Sequence, residues 1–200
     1  MDCRGSRMTR VKILALSGSS RRQSLNSRVL ENAVSGARSQ GAEVTIASLA
    51  DYELPVYEVD WEAEHGLPET ARKLQALVAE NHGLLIATPE HNGGYTTLLK
   101  NGIDWISRPD DYHRHRPAVF PGKVAALISA SPNPEGGLRS AMALQMVLHH
   151  LGVLVVPSHF NLGGAHDAFD TDGRLKSIAL DSIARQVGAT LVDVANRLCA

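Results

Sequence analysis

Short runs of branched apolar residues alternate along this chain with longer stretches in which apolar positions recur every three or four residues. The run Val11-Lys12-Ile13-Leu14-Ala15-Leu16, closed by Gly18, has the make-up of a strand covered on both faces. Residues 44–49, 83–88, 124–129 and 153–156 read the same way. Between them come helical periods. Val29, Leu30, Ala33, Val34 and Ala37 predict a helix from about Asn26 to Gly41, and Ala71, Leu74, Leu77 and Val78 predict one from Pro68 to about Asn81. Leu99, Ile103 and Ile106 share a third helical face. Leu138, Met142, Leu144, Val147, Leu148 and Leu151 mark a fourth, and Leu175, Ile178, Ile183, Val187, Leu191, Val194 and Leu198 carry a fifth to the end. Residues 52–57 with Pro55, and the acidic stretch through Glu64, read as surface loop; 89–95 read as a polar loop and 109–121 as an excursion between prolines.

Five strands alternating with five helices predict one α/β domain. It is a three-layer sandwich, a five-stranded parallel sheet with helices on both faces, because right-handed crossovers connect parallel strands. For five strands the order 2-1-3-4-5 is the better match, with its topological switch between the first and third strands. Ligands of such sheets bind outside the carboxyl ends of the strands at that switch. The loops that meet there are 17–26 and 89–95, two of the most polar in the core of the chain.

Bulk properties narrow the picture. With 44% hydrophobic and 20% charged residues, 200 residues suit one core, spanning 10–200 after a disordered leader at 1–9. A formal net charge of −1 gives no footprint for nucleic acid or an anionic membrane. Cys3 and Cys199 stand at opposite ends with no metal-ligand or disulfide spacing, and no apolar run is long enough to span a bilayer, so the expected location is cytoplasmic. His113 and His115 alternate as ligands on a strand would, yet no third ligand lies near them, and no metal is expected.

Ser17-Gly18-Ser19-Ser20-Arg21-Arg22-Gln23-Ser24-Leu25-Asn26 places hydroxyls, a guanidinium and an amide where a helix begins, next to that helix's own free N–H groups. Phosphate is the natural guest; the plain alternative is a capped strand-to-helix loop. Other phosphate chemistries are excluded by what is missing: no G-x-x-x-x-G-K-[ST], no G-x-G-x-x-G after the first strand, and no cysteine nucleophile in the first loop.

Three segments in order carry a family resemblance. Residues 18–26 resemble the G-S-x-R-x-x-S-x-N loop of the NADPH-dependent FMN reductase family, flavodoxin-like enzymes that include quinone, azo-dye and chromate reductases. Pro89-Glu90-His91-Asn92-Gly93, with Leu99-Lys100-Asn101-Gly102-Ile103-Asp104-Trp105, is similar to the family's P-E-Y-N and L-K-N-A-I-D-W segments. The third is Ser129-Ala130-Ser131-Pro132 with Gly136-Gly137-Leu138-Arg139. The resemblance implies that Ser19, Arg21, Ser24 and Asn26 hold an FMN phosphate. It implies that Pro89, Glu90, His91, Asn92 and Gly93 run along the flavin, with Ser131 at a third edge. His91 stands where the family usually has Tyr, and Asn133 where it often has Gly.

On this reading the protein passes electrons from NADPH or NADH through FMN to a small acceptor such as a quinone, azo compound, metal oxyanion or free flavin. No side chain is expected as an obligatory catalytic group, since the cofactor carries the chemistry. Homodimers or homotetramers are implied, with Trp105, Tyr95 and the His113 segment as candidate contacts. Arg108, Arg114 and Arg116 are either receivers of an NADPH 2′-phosphate or a solvated loop. Ser24 and Asn26 can equally be helix caps, Gly93 and Gly94 a simple turn, and Lys100 with Asp104 an ordinary exposed pair. The competing functions are a flavodoxin-like electron carrier and a redox-inactive FMN-binding module.

Overall fold

The computed structural model describes residues 10–108 and 119–199; the expected leader at 1–9 and the candidate residues His113, Arg114, His115 and Arg116 lie outside them. Among the described residues a parallel sheet is built from β1 (Lys12–Ser17), β2 (Glu43–Ser48), β3 (Gly83–Ala87), β6 (Val124–Ala130) and β7 (Leu154–Val155), in the order β2-β1-β3-β6-β7. This is the expected order. Its helices are α1 (Leu25–Ser39), α2 (Val59–His65), α3 (Glu69–Glu80), α4 (Thr97–Ile106), α5 (Leu138–His150) and α6 (Ile178–Cys199).

Period-2 alternation splits the sheet's side chains between two cores. Ile13, Ala15, Leu85, Ala87, Ala126 and Ile128 point into one with α1 and α6, while Leu14, Leu16, Leu84, Ile86, Ala125 and Leu127 point into the other with α3, α4 and α5. With both faces covered, β3 and β6 are buried at every residue. That is why the strand signal in the sequence was a plain apolar run rather than an alternation.

Four expectations need correction. The fifth sheet position is not one strand but two pieces: β7 pairs with the start of β6, and β8 (Phe160–Leu162) pairs with its end, Ile128 with Phe160 and Ala130 with Leu162. Pro157, which has no N–H to give the ladder, falls in the break between them. The acidic stretch expected to be loop contains α2. Its Trp61 packs edge-on against Trp105, with ring centroids 5.6 Å apart, so tertiary burial overrides the weak local signal. Trp105 itself is fully buried within the chain and bonded through Nε1 to the Pro55 carbonyl at 2.8 Å, which makes it core and removes it as a subunit contact.

The fourth correction concerns residues 89–95. They hold a small antiparallel hairpin, β4 (Glu90–His91) with β5 (Gly94–Tyr95). Asn92 at φ 51° and Gly93 at φ 80° form its two-residue turn, the left-handed pair that suits the twist of a tight hairpin. The turn is therefore Asn-Gly, not the Gly93-Gly94 pair.

Candidate functional site

The loops after β1, β3 and β6 open together at the carboxyl edge of the sheet and enclose a cleft of about 280 Å³. Ser19, Arg21, Ser24, Asn26, Pro89, Glu90, His91 and Ser131 all line it; Asn92 and Gly93 stand apart in the hairpin turn. The structure thus brings together most of what the sequence singled out. It also gives the residues unequal duties.

Ser24 caps α1, its Oγ accepting the Ser27 N–H at 3.2 Å from an extended backbone. The Ser19 Oγ likewise accepts the Arg21 N–H at 3.3 Å. Each hydroxyl is used there as an acceptor, so its own hydrogen is still available to donate into the cleft. The first-turn N–H groups of Leu25 and Asn26 have no acceptor among the described residues, and α1 carries no acidic residue in that turn to satisfy its positive end. Arg21 is exposed at the mouth. These donors form an anion cradle.

Asn26 has a different task. Its Nδ2 donates to the Ala130 carbonyl and its Oδ1 accepts the Ala130 N–H, both at 2.9 Å and buried, so the amide imitates a strand partner and ties the start of α1 to the end of β6. One amide hydrogen remains for a ligand. Ser131 continues the same turn, its N–H bonded to Leu162 and its Oγ accepting the Asn133 N–H at 3.2 Å. Asn133 thus closes an ordinary turn through its backbone.

Residues 88–90 are fastened one after another to the first turn of α5. Thr88 Oγ1 meets Ser140 Oγ at 2.6 Å, Ser140 Oγ donates to the Pro89 carbonyl at 3.0 Å, and the Glu90 carboxylate accepts from Arg139. Pro89 is buried, whereas His91 is exposed at the rim.

Thr96, Ala130 and Pro132 also line the cleft; Thr96 was missed, and Ala130 and Pro132 stood in the third resembling segment without being singled out as site residues. Thr96 had a signal, being a hydroxyl just ahead of a helical period. It caps α4 by accepting the Leu99 N–H at 3.1 Å and donates to the Gly18 carbonyl at 2.8 Å, which locks the first loop onto α4. Ala130 contributes backbone alone and leaves no trace in composition.

A family model for NADPH-dependent FMN reductase matches residues 11–167. The chain is 34% identical over 178 residues to an NAD(P)H-dependent FMN reductase of Pseudomonas aeruginosa, covering 88% of this chain and 89% of that protein. It is 30% identical over 155 residues to a quinone reductase of Escherichia coli, covering 78% of each. Among solved structures it resembles the flavoenzyme NAD(P)H:(acceptor) oxidoreductase FerB of Paracoccus denitrificans, with a TM-score of 0.78 and 25% identity over 94% of this chain and 98% of that one.

Proposed function

Because the chain belongs to the NADPH-dependent FMN reductase family, we propose that the cleft at the sheet's carboxyl edge holds FMN and that the protein passes electrons from NAD(P)H to a small acceptor. The observation that carries this reading is the convergence, on one cleft, of the open N-terminus of α1 with the unspent hydroxyl hydrogens of Ser19 and Ser24 and the guanidinium of Arg21. That donor set fits a phosphate monoester.

When bound, FMN supplies a relay between the nicotinamide hydride and the acceptor. The protein's share is to bind and orient. The Arg21 fork can take two phosphate oxygens at once, and the α1 amides take the rest of the charge. Asn26 and Thr96 hold the first loop in register with the end of β6 and with α4. Pro89, Glu90 and His91 form the wall that would hold the ring, with the Asn92-Gly93 turn at its tip. Exposed His91 leaves that face open to acceptors such as quinones, azo compounds, metal oxyanions or free flavin. The location proposed is cytoplasmic, on the absence of paired cysteines in the sequence.

The test begins with the visible spectrum of the purified protein, which should show flavin released as FMN on denaturation. Stopped-flow mixing with NADPH or NADH should then bleach the flavin band, and a quinone should restore it with turnover. A protein that takes up no FMN, or a flavin band that neither nicotinamide bleaches, would falsify the reading. Reduction by NAD(P)H without turnover on any small acceptor would point to an electron carrier instead.

A further inference from the structure

Arg139 does not line the cleft, yet it holds the residue that does. Its Nε lies 2.9 Å and its second terminal nitrogen 2.6 Å from Glu90 Oε1, and its backbone N–H donates to Glu90 Oε2 at 3.2 Å. The Glu90 side chain is 9% exposed and Arg139 52%. Residue 137, where a capping side chain would sit, is glycine at φ 92°, and a Cβ there would lie 2.9 Å from Ser129 Cβ. Helix α5 thus has no cap of its own. The Glu90 carboxylate supplies it from another element, accepting a first-turn N–H as an N-cap side chain does. Arg139 is also the side chain nearest the turn, its Cδ 3.9 Å from where a Cβ on Gly93 would stand. A single ion pair therefore fixes the hairpin at its base.

We propose that Arg139 is a positioning residue for the cofactor site, acting through Glu90, and that the two present a mutually neutralised pair to the bound flavin; this rests on the FMN reading above. A carboxylate lining the cleft without its partner would add a negative charge where electrons arrive. Reduction adds negative charge to a flavin, so an unpaired Glu90 disfavours the reduced state and an unpaired Arg139 favours it. The pair acts on the flavin as a unit and on the hairpin as a clamp.

Two measurements test this. In FMN-loaded protein, Arg139→Ala should shift the flavin midpoint potential to more negative values and Glu90→Gln to more positive values, while Arg139→Lys, which keeps the charge, returns it toward that of the parent. A role confined to packing would move both variants in the same direction. In FMN-free protein, hydrogen exchange of the hairpin amides at 90–95 should quicken on the order of tenfold in Arg139→Ala, with the β3 and β6 amides unchanged. Potential shifts of the same sign, or hairpin exchange no faster than in the parent, overturn the proposal. A parent protein that binds no FMN overturns the flavin half, and the exchange experiment then decides the clamp by itself.

Discussion

At the scale of single residues, two side chains that look alike in the sequence do separate jobs. Arg21 and Asn26 both belong to the first loop, but Arg21 is exposed at the cleft mouth while the Asn26 amide is committed to the Ala130 backbone at 2.9 Å on both sides. Replacing Arg21 by Ala should therefore raise the dissociation constant for FMN by roughly tenfold or more, about the loss of one charge-assisted contact. Turnover in FMN-saturated protein should change far less; fluorescence titration beside saturated kinetics separates the two. Asn26→Ala should instead act on stability. It leaves a buried N–H and a buried carbonyl unpaired, at about 1–3 kcal/mol each, read as a lower urea midpoint of the FMN-free protein. The strut role of Asn26 is not legible at residue level, since an amide at a helix start suits a cap or a ligand as well. What decides it is a backbone partner 104 positions away.

Elements add effects that no single position reveals. Helices α1 and α6 cross where Gly36 faces the Arg185 carbonyl and Gly188 faces the Ala33 carbonyl, and a Cβ on either glycine would run into that backbone oxygen. Helix propensity alone predicts that Gly36→Ala or Gly188→Ala stabilises by about 1 kcal/mol. The crossing predicts the reverse, a net loss on the order of 2 kcal/mol in chemical denaturation, because two main chains cannot move apart without opening the core beneath. The α2 segment behaves similarly. Tyr57 donates to Glu62 at 3.0 Å, Arg108 pairs with the same carboxylate at 2.9 Å, and Arg108 lies over the Tyr57 ring at 5.3 Å. Burial, then the hydrogen bond to Glu62, raises the Tyr57 phenol above its ordinary value, with the Arg108 charge pulling the other way. The folded state thus favours the neutral phenol. The stability this provides is complete below the unfolded value of about 10 and is lost as pH rises through the raised folded one. Tyr57→Phe should flatten that alkaline limb, measured as urea unfolding between about pH 8 and about pH 11. The periodicity of 52–64 was too short and too acidic to announce a helix, and only Trp105 and Glu62 at the interface explain why it forms.

For the whole molecule, no helix among the described residues is long and apolar enough to cross a membrane. Leu138, Met142 and Met146 form an exposed apolar stripe on α5, beside the hairpin. That stripe is where we propose that the homodimer or homotetramer implied by the family resemblance is joined. Light scattering should give a mass of two or four chains, and Met142→Glu with Met146→Glu should lower it to one. The sequence by itself determined the fold: buried parallel strands are continuous apolar runs, their crossovers are helical periods, and strand count with handedness leaves few orders. It also located the cleft, because the switch between β1 and β3 follows from that order and polar loops stand out against apolar strands. Tertiary structure alone decided which protein partner each polar side chain has there. It assigned Asn26 to the backbone of β6, made Glu90 the cap of α5 through Arg139, and split the fifth strand at Pro157. The physical reason is range: apolar periodicity is written locally along the chain, whereas a hydrogen-bond partner is chosen only when distant segments are brought within 3 Å or so.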